Sequence, residues 1–363
     1  MIARRTVLKG CAAACGVAAI PASGVTTAVR PQKARFWHSE GDLARCELCP
    51  RVCTLDIGET AKCRTRLNRD GEMVTIGYAN PCAVHVDPIE KKPFYHMLPG
   101  SRAFSIGVAG CCLRCLNCQN YTISQASPLE TQNEYLPPDK VVEAAKREGC
   151  TSIAYTYSEA TVWYEYMYDT AKAARAAGLR NIWVTSGYIN EAPLRELATV
   201  MDGATIDVKS FDDATYNKLN AGTLAPVLAT LTTAKSLGRW VEVSNLVVPQ
   251  WTDNLDMIRR LCAWVNTTMG SDTPMHFLRF MPMHKLAALP PTPEATMQSA
   301  ARIAREEKLR YVYVGNVAGV DQNTYCAKCG KPVVKRDGYV VRDVAVVKGK
   351  CRYCGSAIPG VWG

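Results

Sequence analysis

The stretch Ala103-Phe-Ser-Ile-Gly-Val-Ala-Gly-Cys111-Cys112-Leu-Arg-Cys115-Leu-Asn-Cys118 joins an apolar run to a cysteine-rich loop. Ala103–Val108 reads as a strand, and the thiols follow where it ends. The spacing Cys111-x3-Cys115-x2-Cys118 offers three thiolates to a four-iron cluster, whereas such clusters are ordinarily held by four cysteines. One iron is left without a protein ligand. The other register starts at Cys112 and has the opening of a ferredoxin-type run. Thr122 and Ile123 stand where that run needs Cys and Pro. Cys112 is therefore read as a non-ligand, since neighbouring side chains on an extended segment point to opposite sides.

An open iron can bind the amino and carboxylate groups of S-adenosylmethionine and pass an electron to its sulfonium. The product is a 5′-deoxyadenosyl radical, made by the cofactor while the protein orients it.

Working outward from the loop, strand and helix signals alternate. Helices are predicted at 138–148, 160–177, 191–200, 226–237, 254–268 and 294–308. Strands are predicted at 152–156, 181–185, 205–208, 241–248, 276–280 and 311–314. Repeated βα units with apolar strands predict a parallel sheet. The α/β fold expected is a partial TIM-like (β/α)6 barrel, with no Gly-x-Gly-x-x-Gly to suggest a nucleotide-binding open sheet. In barrels of this kind, functional loops lie at the C-terminal ends of strands. The cysteine loop, Tyr157-Ser158-Glu159, Ser186-Gly187 and Asp207-Val208-Lys209 are thereby expected to meet at one mouth.

Two further cysteine groups flank this core. Cys326-x2-Cys329 and Cys351-x2-Cys354 are paired knuckles separated by a valine-rich stretch, the pattern of a structural zinc site, with a second redox cluster as the alternative. Cys46-x2-Cys49-x3-Cys53 with Cys63 suits structural zinc, an auxiliary iron–sulfur cluster or, after export, disulfides. Zinc is the working expectation there. Cys82, Cys150 and Cys262 stand alone and read as small buried hydrophobes. The domains expected are residues 1–28 (signal), 29–100 (cysteine-rich), 101–317 (barrel) and 318–363 (zinc-ribbon-like).

Of the 363 residues, 48% are hydrophobic and 21% charged, ordinary values for a globular protein. The net charge of +10 is spread over both ends of the chain, without a basic stripe interleaved with aromatics, so no nucleic-acid partner is indicated. Seventeen cysteines, mostly in CxxC-type groups, favour metal binding over a disulfide framework. Arg4-Arg5 followed by the alanine-rich run to Ile20 has the layout of a twin-arginine export signal. That predicts a periplasmic destination for a protein loaded in the cytoplasm, or a cytoplasmic one if the signal is vestigial.

The chain resembles the AmmeMemoRadiSam-system radical S-adenosylmethionine enzymes, relatives of pyruvate formate-lyase-activating enzyme, over roughly residues 40 to 363. The resemblance rests on Cys46-Glu-Leu-Cys-Pro-Arg-Val-Cys53, Asp87-Pro-Ile-Glu-Lys-Lys-Pro93 and Cys118-Gln-Asn120. It continues through Ala154-Tyr-Thr-Tyr157, Val184-Thr-Ser-Gly-Tyr188, Ile206-Asp-Val-Lys209, Tyr313-Val-Gly-Asn316 and Gly360-Val-Trp362. It implies that Glu159 contacts the methionyl amino group, and that Asp207 and Lys209 hold the amino and carboxylate ends. Ser186 stands at a neighbouring cofactor-contact position. His276 resembles a histidine near the nucleoside, the alternative being a satisfied core residue. Asn117, Cys112, Ala160 and Ser186 depart from the family pattern, and none of these changes removes a cluster ligand.

The function expected is reductive cleavage of S-adenosylmethionine by a 4Fe-4S cluster and hydrogen abstraction from a substrate, a protein glycine by analogy with activating enzymes. Its partners would be a flavodoxin- or ferredoxin-type electron donor, a protein substrate and Memo-like or AMMECR1-like proteins. The rival class is a non-catalytic exported iron–sulfur or zinc protein. The Ile89-Glu90-Lys91-Lys92 segment either lines the substrate entrance or forms a surface salt-bridged turn.

Overall fold

The computed structural model describes residues 29–363. The twin-arginine pattern and the alanine-rich run lie outside them. Seven parallel strands form the core: β2 (Arg102–Gly107), β3 (Ser152–Tyr155), β4 (Arg180–Thr185), β5 (Gly203–Asp207), β6 (Trp240–Val247), β7 (Met275–Arg279) and β8 (Val312–Gly315). An eighth strand, β1 (Ala83–Pro88), runs antiparallel to β2 at one edge. The spatial order follows the chain order from β1 to β8, with the sheet open between its two ends. This is an α/β fold, a partial barrel of six βα units and a closing strand.

The crossovers use α1 (Pro138–Arg147), α2 (Tyr164–Ala176), α3 (Glu191–Leu197), α4 (Asp213–Asn220), α5 (Ala225–Ser236), α6 (Leu255–Trp264) and α7 (Glu294–Glu306). Three of them start on a recognisable signal. Pro138 opens α1, and the side chains of Asp212 and Asn254 accept from Thr215 N and Met257 N at the starts of α4 and α6. Alternate strand residues face the helices or the barrel interior. Phe104, Ile153 and Trp183 pack into the main core, while Ala103, Ala154 and Ile182 face a smaller inner cluster.

That inner cluster includes Ile89, Phe94 and Met97. The segment between β1 and β2 thus enters the barrel and fills its N-terminal end, where Met97 and Phe94 lie against Gly203 at the start of β5. The Ile89–Lys92 segment is a salt-bridged turn, with Lys91 and Lys92 both paired to Asp87, but Ile89, Glu90 and Lys92 are buried and only Lys91 is exposed. Val361 pairs with Met97 and exchanges hydrogen bonds with its neighbours: Val361 N donates to His96 O and Leu98 N to Val361 O, both at 2.7 Å. The C-terminal strands Thr324–Tyr325, Pro332–Asp337 and Val340–Val344 form a small antiparallel sheet. Two further three-stranded sheets flank the N-terminal cysteines, of which Cys46 ends the strand Leu43–Cys46 while Cys49, Cys53 and Cys63 lie in the connecting loops. Cys150 and Cys262 are buried and Cys82 is half-buried. Among the described residues, no helix is long and apolar enough to cross a membrane.

Candidate functional site

The cysteine loop begins where β2 ends and is held from both sides. Arg114 N donates to Asn220 O at 2.9 Å and Leu116 N to Leu219 O at 2.8 Å, fixing the loop to the end of α4. Gly110 N donates to Ile123 O at 2.9 Å, so the single helical turn after Cys118 closes back on the loop. Cys111 and Cys118 lie close enough to Cys115 for their thiolates to raise its proton affinity, and Cys111 does the same to Cys118. Their sulfurs do not gather within 4.8 Å of one another, a wider arrangement than one zinc ion would draw together.

Burial is the main cause that pushes the Cys115 thiol up to about 12, with Lys209 opposing. A metal reverses such a preference, because it binds the thiolate. The amide of Asn220 is fully buried, and apart from the Cys115 sulfur beside it neither its Nδ2 nor its Oδ1 has a protein partner. A buried amide without a partner is costly. An iron–sulfur cluster on these cysteines supplies sulfur acceptors at that spot. Ser124 Oγ, 3.0 Å from Cys118 Sγ, and Leu113 N, 3.3 Å from Cys111 Sγ, are further polar contacts of the ligand sulfurs. The donor set fits a three-cysteine cluster.

The other strand ends converge on the loop. Asp207 and Lys209 form an ion pair at 2.9 Å, half-exposed, and Asp207 also accepts from Ser244 Oγ. Burial works against the charge on Lys209, but Asp207, then Cys115 and the Tyr216 hydroxyl, hold it well above the lysine range. Lys209 thus links the charged pair to the cysteine loop. Tyr157 turns in the left-handed region at φ 73°. Its carbonyl accepts from Asn120 Nδ2 at 2.6 Å and its hydroxyl donates to Asp87 at 2.6 Å.

Glu159 is buried and near Cys111, and its carboxylate is already in use. It accepts from Thr161 Oγ1 at 2.8 Å, Thr185 Oγ1 at 2.7 Å, Ser186 N at 2.8 Å and the Ser186 hydroxyl. In this arrangement Glu159 fastens the end of β3 to the end of β4. The register places Asp207, Ser244 and His276 in one row across β5, β6 and β7. His276 is buried: its Nε2 lies 2.7 Å from Glu242 Oε2, and its ring stacks on Tyr313. It belongs to a buried network with Tyr95 and Glu242.

Asn220, Ser244 and Thr185 were not singled out by sequence. Asn220 ends a helix that sequence periodicity did not reveal, and the other two are small polar residues inside strands. The N-cap signal of Asp212 for α4 was available in the sequence.

The C-terminal thiols close around one point. Cys326, Cys329, Cys351 and Cys354 have sulfurs within 4.8 Å of one another. Cys326 lies 3.7 Å from Cys354 and Cys329 lies 3.8 Å from Cys351. Thiolates bound to zinc at ~2.3 Å in a tetrahedron stand ~3.8 Å apart, so the quartet is shaped for one metal ion. Burial opposes ionisation of Cys326, but Ser356 and the backbone at residues 328 and 329 pull it down to about 6.

Residues 105–264 match the sequence profile of the radical SAM superfamily. An uncharacterized protein of Methanocaldococcus jannaschii is 42% identical over 331 residues, which cover 90% of this chain and 98% of that one. Among solved structures, a domain of pyruvate-formate lyase-activating enzyme from Bacteroides vulgatus aligns with 46% of this chain and 99% of its own, at 14% identity and a TM-score of 0.40. Streptococcus suis SuiB bound to S-adenosylmethionine aligns over 64% of this chain and 53% of its own, at 10% identity and a TM-score of 0.48.

Proposed function

The chain belongs to the radical SAM superfamily, and from that membership we propose that it is an enzyme that cleaves S-adenosylmethionine reductively. Cys111, Cys115 and Cys118 would hold a 4Fe-4S cluster whose fourth iron takes the cofactor. When bound, cluster and cofactor together supply a 5′-deoxyadenosyl radical that abstracts a hydrogen atom.

One observation carries the reading: Lys209 and its partner Asp207 stand at a strand end facing Cys115, beside the place where the cofactor's amino and carboxylate groups would lie. The Lys209 ammonium suits a carboxylate and the Asp207 carboxylate suits an amino group. Glu159 acts through Thr185 and Ser186, fixing the loops that border the site. His276 and Glu242 set the floor of the barrel beneath it.

The substrate is proposed by analogy with activating enzymes: a glycine of a protein partner, within a system containing Memo-like and AMMECR1-like proteins. A flavodoxin- or ferredoxin-type donor would supply the electron, the C-terminal quartet would hold zinc, and the twin-arginine pattern would direct export to the periplasm. Anaerobically reconstituted protein, reduced with dithionite and given S-adenosylmethionine, should release 5′-deoxyadenosine, and Cys115→Ala should abolish it. An intact cluster with no product and a spectrum indifferent to the cofactor would favour the electron-transfer or scaffold reading.

A further inference from the structure

A second group of thiols lies against the first. Cys46, Cys49, Cys53 and Cys63 are all free, and all but the half-buried Cys53 are buried. Cys46 N donates to Cys53 O at 2.8 Å and Val52 N to Cys49 O at 3.1 Å, so the chain curls around this group. Cys46 Sγ lies 3.5 Å from Arg66 Nη1 and Cys63 Sγ 3.2 Å from Thr65 Oγ1, so both thiols face the strand that begins at Arg66. Yet no three of these sulfurs gather within 4.8 Å, as the C-terminal quartet does. Zinc needs its thiolates ~3.8 Å apart. A cluster whose cysteines are spread over several irons accepts a wider set. The same wider spacing characterises Cys111, Cys115 and Cys118.

Charge points the same way. Arg114 spans the two thiol groups, its Nη2 donating to Lys62 O beside Cys63 and its Nη1 to the Cys111 carbonyl. Arg51 Nε donates to Cys112 O and Arg114 Nη1 to Cys111 O, each at 2.8 Å, so these groups bond carbonyls rather than carboxylates. The buried Nη1 of Arg64 has no partner. Thiolate-ligated clusters carry net negative charge, and this is where compensating cations belong.

The two groups are also contiguous. The Cys112 thiol lies between those of Cys49 and Cys111. Gly110 packs so tightly that a Cβ on it would stand 2.6 Å from Cys63 O and 2.5 Å from Thr65 Cγ2.

We propose that Cys46, Cys49, Cys53 and Cys63 hold a second iron–sulfur cluster that relays one electron to the open cluster. The relay rests on the function proposed above. A flavodoxin- or ferredoxin-type donor reduces the outer cluster near the half-buried Cys53. The outer cluster then gives that electron to the inner one and is reoxidised, with no bond made or broken.

The test uses the full chain, reconstituted anaerobically, with iron, acid-labile sulfide and zinc measured alongside low-temperature EPR of the reduced protein. Cys115→Ala should retain iron, sulfide and an EPR signal that ignores S-adenosylmethionine. Cys53→Ser should lose a third to a half of the wild-type iron and keep a signal that the cofactor perturbs. Circular dichroism and zinc at the C-terminal quartet report whether each variant is folded. A folded Cys115→Ala protein with no iron, or zinc or disulfides at the four N-terminal cysteines, overturns the second cluster. A Cys53→Ser signal indifferent to the cofactor instead overturns the open-cluster reading.

Discussion

Arg66 and Glu165 form an ion pair across the seam between the N-terminal region and α2, with side chains only 0% and 5% exposed. Glu165 also accepts from Arg35 N at 2.7 Å, and Arg66 Nη1 reaches Cys46 Sγ at 3.5 Å. Removing one member leaves an uncompensated buried charge, which costs about 3–5 kcal/mol. Glu165→Ala should therefore lower unfolding stability by that amount in denaturant titration. A loss below about 1 kcal/mol would show that the seam does not depend on this pair.

Lys209 and Asp207 should govern cofactor affinity rather than cluster content. Charged hydrogen bonds contribute about 1.5–3 kcal/mol, so Lys209→Ala should weaken S-adenosylmethionine binding roughly 10- to 100-fold. Iron and labile sulfide should be unchanged. Equilibrium binding to the reconstituted protein checks this, and unchanged affinity would remove the pair from the site.

Lys92 gives a pH signature. Burial lowers its pKa from 10.5 to about 8, although Asp87 lies 2.7 Å away and pulls the other way. Between pH 8 and 10.5 the unfolded chain holds a proton that the folded one has released, so this residue's contribution to stability rises with pH. The full rise is about 3 kcal/mol. Wild type compared with Lys92→Met in denaturation at pH 7.5, 9 and 10 should show that difference growing. A constant gap would contradict the buried ammonium.

Stripping metal from the C-terminal quartet should loosen the floor of the barrel. Cys351 and Cys326 share a small core with Ile358 and Trp362, and the Trp362 ring lies 5.7 Å from that of His96. Cys354→Ser should lose one zinc per chain and several degrees of Tm, while iron is retained. Equal zinc in wild type and variant would rule the quartet out as the zinc site.

Much of this arrangement was legible in the sequence, and the limits have physical reasons. The barrel strands announce themselves because both their faces are buried, giving short apolar runs, and the strands fall within two residues of expectation. The mouth was predictable because each of its loops directly follows a strand. Helix α4 is short, and its apolar residues Tyr216 and Leu219 are too few to set a period, so its Asn220 was missed. The segment Ile89–Leu98 mixes lysines, a glutamate and a proline, which reads as surface. Lys92 and Glu90 are buried because flanking Asp87 and Gly100 N, and Arg336 from the C-terminal sheet, meet them. Likewise, His276 as a ligand-facing or a core residue was undecided until Glu242 was placed beside it.

The pairing of His96 with Pro359, 263 residues apart, has a consequence for the order in which the protein is made. The ribosome releases the whole barrel before the strand that seals its lower end exists. During that interval Phe94 and Met97 have only part of their final packing, and the nascent molecule has a loose floor under an already formed cysteine loop.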